Sequence, residues 1–133
     1  MESLPLDGKG KRAETILLAE DDASARGLTR TVLEEAGYKV IEAVDGEDAV
    51  IKFSSNKGNI EMLVLDVIMP KMNGKEVYDA INAIQPGIKT LFMSGYTGSI
   101  IYRRDVHEEG LNFIPKPVSP RVVLQRIREI LDS

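Results

Sequence analysis

Four short apolar runs in this chain each end in a residue that can bind a cation or a phosphoryl group. Glu20, Asp21 and Asp22 follow the run at 15–19, and Asp66 follows Met62-Leu63-Val64-Leu65. Ser94 follows Leu91-Phe92-Met93, and Lys116 follows Phe113-Ile114-Pro115. Two or three carboxylates brought within a few ångströms repel one another and raise at least one pKa. A hard divalent cation removes that penalty. Mg²⁺ takes oxygen ligands, retains waters and binds through one or two carboxylates plus phosphate oxygens. With charge neutralised in this way, Asp66 is placed to attack phosphorus and form an aspartyl phosphate. Lys116 can set a point charge against one phosphoryl oxygen, and Ser94 can donate a hydroxyl hydrogen bond to another. Phosphoryl transfer asks mainly for positioning and charge neutralisation, which these groups supply.

Residues so far apart in the chain meet only if the elements carrying them converge. The buried run at 15–19 is predicted as a strand. Residues 23–36 have helical periodicity, with Leu28, Val32 and Leu33 on one face, Asp22 as N-cap and Gly37 as the stop. A second strand is expected over 38–43. Asp45 caps a helix over 46–54, followed by a polar loop at 55–59. The near-continuous apolar run 60–65 suits the centre of a parallel sheet. After a loop at 70–73, residues 74–84 form a helix with Val77, Ile81 and Ile84 inward, ended by the Pro86-Gly87 turn. A fourth strand spans 88–93. A weaker helix spans 99–109 up to Gly110, and a fifth strand spans 111–114. Ser119-Pro120 opens the last helix, which reaches Leu131.

This alternation implies a parallel sheet covered on both faces, an α/β three-layer sandwich. Right-handed crossovers leave few topologies. The expected strand order is 2-1-3-4-5, the flavodoxin-like (βα)5 arrangement, whose ligands sit at the carboxyl edge of the sheet. In that order the first and third strands are neighbours, so Asp21 and Asp66 stand side by side.

Composition narrows the function classes. The 133 residues suit one domain, and a chain of this size buries roughly 65–70% of its unfolded surface. The absence of cysteine excludes disulfides, thiol catalysis and thiolate metal sites, and is compatible with a reducing cytoplasm. A net charge of -4 and a pI near 5.1 argue against direct nucleic-acid binding. No apolar run approaches the ~20 residues of a membrane span. Residues 1–13 lack the apolar core of a signal peptide and are expected to form a flexible leader or linker ahead of a domain at 14–133. His107 and Arg103-Arg104 are expected on the surface. Arg126 and Arg128 are expected to do no more than complement the dipole of the last helix.

Taken together, Ile16-Leu17-Leu18-Ala19-Glu20-Asp21-Asp22, Leu65-Asp66-Val67-Ile68-Met69-Pro70, Asn73-Gly74, Met93-Ser94-Gly95-Tyr96 and Pro115-Lys116-Pro117 resemble the receiver domain of two-component response regulators, over residues 14 to 131. The joint pattern is specific, although each piece alone is weak. The resemblance implies that Asp66 is the phosphoacceptor. It implies a Mg²⁺ or Mn²⁺ site formed by Asp21, Glu20, Asp66 and the backbone carbonyl of Ile68. Ser94 matches the switch hydroxyl, Lys116 the family lysine and Phe113 the aromatic switch position, and a cis peptide is implied between Lys116 and Pro117. Phe113 has no hydroxyl, so any signal that depends on one is absent. The implied partner is a histidine kinase or histidine phosphotransfer domain. The implied output face, also a route to homodimers, comprises the helix at 99–109, the fifth strand and the last helix.

The expected function is therefore a phosphoacceptor signalling switch rather than a conventional turnover enzyme. A dehalogenase-type phosphatase would need an acid two residues after its nucleophile, where this chain has Ile68. An adaptor that no longer takes phosphate is opposed by the complete set Glu20, Asp21, Asp66, Ser94 and Lys116, and a flavin site by carboxylates after the first strand. In the resembling family, the residues two past the phosphoacceptor and two past the switch hydroxyl influence dephosphorylation. Here these are Ile68 and Tyr96, neither of which readily activates water, so slow self-dephosphorylation is expected. The phrase at 91–97 and the polar leader resemble receivers of hybrid histidine kinases, which is the expected context, with a stand-alone regulator as the alternative.

Overall fold

Alternate residues of the apolar runs point to opposite faces of one sheet, and this builds the molecule's two cores. The computed structural model describes residues 13–95, 111–116 and 119–133. In chain order the elements are β1 (Thr15–Ala19), α1 (Ala23–Glu35), β2 (Lys39–Ala43), α2 (Gly46–Ser55), β3 (Met62–Asp66), α3 (Gly74–Ile84), β4 (Lys89–Ser94), β5 (Asn112–Pro115) and α4 (Pro120–Asp132). All neighbouring strands pair in parallel, in the order β2-β1-β3-β4-β5. The expected fold class and strand order are what the chain adopts. The predicted helix over 99–109, with Arg103, Arg104 and His107, lies outside the described residues, as do Tyr96, Pro117 and the leader up to residue 12. Ala13, assigned to the leader from sequence, is buried.

Leu17, Ala19, Leu63, Leu65 and Phe92 face one side, where Ala49 and Phe53 of α2 and Val77 and Ile81 of α3 cover them. Ile16, Leu18, Met62, Val64, Leu91, Met93 and Ile114 face the other, against Leu33 of α1 and Val123, Ile127 and Ile130 of α4. Both faces of the central strands are therefore apolar, as a parallel sheet between helical layers requires.

The helix starts are capped as their sequences suggest. The Asp22 carboxylate accepts from the amides of Ser24 and Ala25, Asp45 from Asp48, and Ser119 from Val122. Asn73 and Glu76 form a reciprocal capping box at α3.

Two expectations fail. Leu28 is 72% exposed and does not share the buried face of Leu33. The inner stripe of α1 runs through Ala25, Arg26, Thr29, Val32 and Leu33, all at least partly buried, so Val32 and Leu33 lie where expected. Leu28 lies about 100° around the helix from Thr29. Apolar spacing misplaced the stripe because Arg26 faces inward toward polar partners. Arg128 also does more than complement a dipole. Its guanidinium binds Glu14 ahead of β1 at 2.9 Å, Asp132 at 2.9 Å and the Tyr38 hydroxyl at 3.3 Å, tying α4 to the amino edge of the sheet. Arg126 similarly reaches Asn112 and Glu129.

Candidate functional site

Parallel register brings the chemistry-bearing residues to one edge. Ala19 pairs with Leu65, so Glu20 and Asp66 occupy the next level on adjacent strands. Asp66 pairs with Met93. The β3–β4 ladder continues through the Val67 amide to the Met93 carbonyl at 2.9 Å. Ser94 pairs with Pro115, and the Lys116 amide donates to the Ser94 carbonyl at 2.7 Å. β1, β3, β4 and β5 thus each bring a polar group, Glu20, Asp66, Ser94 and Lys116, to the same rim of the sheet. One carboxylate oxygen each from Glu20, Asp21 and Asp66 lies within 4.8 Å of the others. Lys116 reaches across the cluster. Its ammonium donates to the Glu20 Oε1 and, at 3.3 Å, to the Asp66 Oδ2.

Glu20, Asp66 and Ser94 are buried, whereas Asp21 is exposed. The resulting electrostatics separate the two buried acids. Burial first, and then the charge of Glu20, push the Asp66 carboxyl up to about 6, with Lys116 opposing. Burial alone would raise Glu20 as well. Hydrogen bonds from Lys116 and the Asp22 amide, together with the Lys116 charge, hold it below its ordinary value instead. Lys116 is raised, because its two acid partners outweigh the burial that would lower it. The expectation that crowded carboxylates raise at least one pKa is realised at Asp66.

Ser94 supplies a further clue. Its Oγ is the only buried side-chain polar atom among the described residues that has no hydrogen-bond partner. Leaving such a group unpaired costs about 1–3 kcal/mol, so an exposed turn serine would be the cheaper design. Phe113, on β5, is half-buried against the core beneath this edge. Ile68, two residues after Asp66, is 47% exposed, and its amide donates to the Asp66 Oδ1 at 3.3 Å.

Two glycines hold the loop after β3 in place, and their physical role was invisible in sequence. A Cβ on Gly74 would lie 2.5 Å from the Asp66 carbonyl oxygen, so α3 can start this close to β3 only with glycine there. A Cβ on Gly46 would meet the Met72 carbonyl oxygen at 2.3 Å, so the start of α2 and this loop are equally tight. Asn73-Gly74 is visible in sequence as a motif, but the need for it lies in a backbone approach that spacing does not encode.

Residues 16–128 match the family model described as the response regulator receiver domain. The chain belongs to this family of phosphoacceptor switches in two-component signalling. Among curated relatives, it is 30% identical to the sensor kinase CckA of Brucella abortus (strain 2308), covering 97% of this chain and 15% of the relative. It is 37% identical to the transcriptional regulatory protein CpxR of Escherichia coli (strain K12), covering 87% of this chain and 48% of that protein. The chain therefore spans less than half the length of either relative. Among solved structures, the receiver domain of the hybrid histidine kinase CckA superimposes with a TM-score of 0.74 at 30% identity, covering 88% of this chain and 98% of that one. A chain of the CheX–CheY–BeF3–Mg²⁺ complex of Borrelia burgdorferi superimposes with a TM-score of 0.78, also at 30% identity, covering 92% of this chain and 91% of that one. Among the described residues, no helix is long and apolar enough to cross a membrane.

Proposed function

We propose that Asp66 accepts a phosphoryl group from the phosphohistidine of a histidine kinase or phosphotransfer domain. The observation that carries this reading is one buried carboxylate flanked by Glu20, Asp21 and the Lys116 ammonium at a single sheet edge. An Asp66 oxygen forms the new bond to phosphorus as the bond from phosphorus to the histidine nitrogen breaks, and that nitrogen keeps the electron pair. Lys116 stays near enough to neutralise a phosphoryl oxygen, and the unpaired Ser94 hydroxyl donates to another.

The donor set of three hard carboxylate oxygens fits Mg²⁺ or Mn²⁺. Glu20, Asp21, Asp66 and the Ile68 carbonyl would hold the ion. When bound, it supplies positive charge that offsets repulsion between the carboxylates and the phosphoryl oxygens. Presence of the same cation in the related Borrelia complex supports the reading.

The added negative charge then biases Ser94 and Phe113 between two arrangements. The altered contacts are proposed to lie on the output face expected from sequence, of which β5 and α4 belong to the described residues, and which is also the proposed route to any homodimer. The work of this chain is to receive and relay charge within the cytoplasm, without contacting nucleic acid itself.

Incubation with acetyl phosphate and Mg²⁺, followed by intact mass, tests the assignment. The expected result is a gain of one phosphoryl group that is lost in Asp66→Asn and in the presence of chelator. No gain under any condition overturns it and favours the adaptor. Turnover of a small phosphate ester would instead indicate a phosphatase.

The apolar side chain at Ile68 further supports a long-lived phosphoryl group, because it cannot activate water. After donor removal, Ile68→Asn is expected to lose the group faster by about tenfold or more. Rapid loss from the parent, abolished in neither Ile68→Ala nor Tyr96→Ala, contradicts this.

A further inference from the structure

The carboxylate of Asp21 makes no hydrogen bond or ion pair with any described residue, yet it stands with Glu20 and Asp66 in one cluster. Among the described residues nothing holds this side chain, so the fixed group nearest to it is the peptide that precedes it. That peptide is held by Arg26. The Arg26 Nη1 donates to the Glu20 carbonyl oxygen at 2.7 Å, which is the oxygen of the Glu20–Asp21 linkage. The Arg26 Nε lies 3.3 Å from the Glu42 Oε1 on β2, and the Arg26 side chain is only 16% exposed. Glu42 is in turn fixed by Arg30, at 2.6 Å, while its carbonyl accepts from the Lys52 ammonium of α2 at 2.7 Å.

We infer that Arg26 is a positioning residue for the metal-binding acids: its guanidinium, braced by Glu42, sets the plane of the Glu20–Asp21 peptide and thereby aims the Asp21 carboxylate. The inference deepens the reading of Asp66 as a phosphoacceptor and depends on it.

The physical grounds are specific to a guanidinium. Its planar fork can bind a carbonyl and a carboxylate at once in a fixed relation, which a single ammonium nitrogen does less rigidly. The remaining anchors of this turn act on other atoms. The Glu20 amide donates to the Ala43 carbonyl at 3.2 Å, and the Asp22 amide to the Glu20 Oε2 at 3.1 Å. Without Arg26 the Glu20–Asp21 peptide is free to tilt while Glu20 itself remains tied to Lys116. Groups that orient ligands from behind typically change metal affinity by about 10–100-fold when removed.

The test measures Mn²⁺ binding by electron paramagnetic resonance, alongside the amide resonance of Asp21 in metal-free protein. Arg26→Ala is expected to shift that resonance and to weaken Mn²⁺ binding by about tenfold, with Arg26→Lys in between. A merely structural role would lower the unfolding midpoint and leave the affinity of the folded protein unchanged. Folded Arg26→Ala that binds Mn²⁺ within about twofold of the parent overturns the inference. If Arg26→Ala fails to fold, Arg26→Lys and Glu42→Gln decide in its place: weakened binding supports the inference and parental binding overturns it. A parent that binds no Mn²⁺ overturns the phosphoacceptor reading itself, which separates the two failures.

Discussion

Asp66→Asn is expected to stabilise the metal-free protein at pH 7 by about 1–2 kcal/mol, although it removes the proposed phosphoacceptor. The folded protein holds the Asp66 proton up to about 6, whereas the ordinary value is 3.8. Between those limits the folded state binds more protons than the unfolded chain, so stability falls as pH rises. Above about 6 the full cost of an ionised, buried carboxylate beside Glu20 is present. Linkage sets that cost at roughly 3 kcal/mol. Asparagine removes the charge at nearly constant volume but weakens the contacts with Lys116 and the Ile68 amide, so part of the gain is lost. Urea denaturation in the presence of chelator checks this. The advantage of the variant should shrink and then reverse as pH is lowered through the interval from about 6 to about 4, because the parent recovers roughly 3 kcal/mol there. Adding Mg²⁺ should then stabilise the parent and leave Asp66→Asn nearly unmoved, because only ligands that bind the folded state shift the equilibrium. A metal-free parent more stable than Asp66→Asn at pH 7 would contradict the account.

Gly74→Ala is the second large effect, and it acts through backbone. The added methyl would stand 2.5 Å from the Asp66 carbonyl oxygen and 3.0 Å from the Val67 Cα. Neither neighbour is a flexible side-chain tip, so either β3 or the start of α3 must move. The Gly74 amide also donates to the Val67 carbonyl at 2.8 Å, so moving α3 loosens the loop as well. Overpacking of this kind costs about 1–3 kcal/mol. A displacement of about 1 Å at a reacting group can cost about 100-fold in rate. The rate of phosphorylation by acetyl phosphate should therefore fall by at least about tenfold, beyond any loss of folded protein. Gly58→Ala is the control. Gly58 has φ +87° and no neighbour within 4 Å of its would-be Cβ, so alanine there adds local strain without touching the site. It should destabilise by about 1 kcal/mol while phosphorylation of the folded fraction stays at the parental rate. Equal rates for Gly74→Ala and the parent would show that the close approach does not set the position of Asp66.

Much of this could be read before any coordinates. The apolar stretches at 16–19 and 62–65 show no polar interruption, which is what a strand buried on both faces must look like. Asp22, Asp45 and Ser119 mark helix starts because short polar side chains satisfy otherwise unpaired amides, whereas the Asn73 cap was seen only in the structure. The gathering of Glu20, Asp66, Ser94 and Lys116 follows from parallel register, since each residue ends its strand or directly follows it, and Asp21 is the next residue after Glu20. Where periodicity failed, at Leu28, the cause was polar. An inward arginine serving the β1–α1 turn displaced the apolar stripe from the position that hydrophobic spacing implies. Arg128 was underestimated for a related reason: a helix-terminal arginine looks generic until the tertiary fold brings Glu14 and Tyr38 beside it.

The layer order of the fold, the strand ends that carry chemistry and the kind of chemistry those residues permit were legible in the chain alone, because these depend on local pattern and on residue type. Which acid carries the raised pKa, the Lys116 bridge between Glu20 and Asp66, and the burial of the Ser94 hydroxyl without a partner among the described residues emerged only on folding. The folded structure alone exposed Gly74 as a backbone fit and Arg26 as the brace behind Asp21. Each of these depends on distances between segments remote in the chain, where burial and charge act over a few ångströms and sequence spacing carries no measure of them.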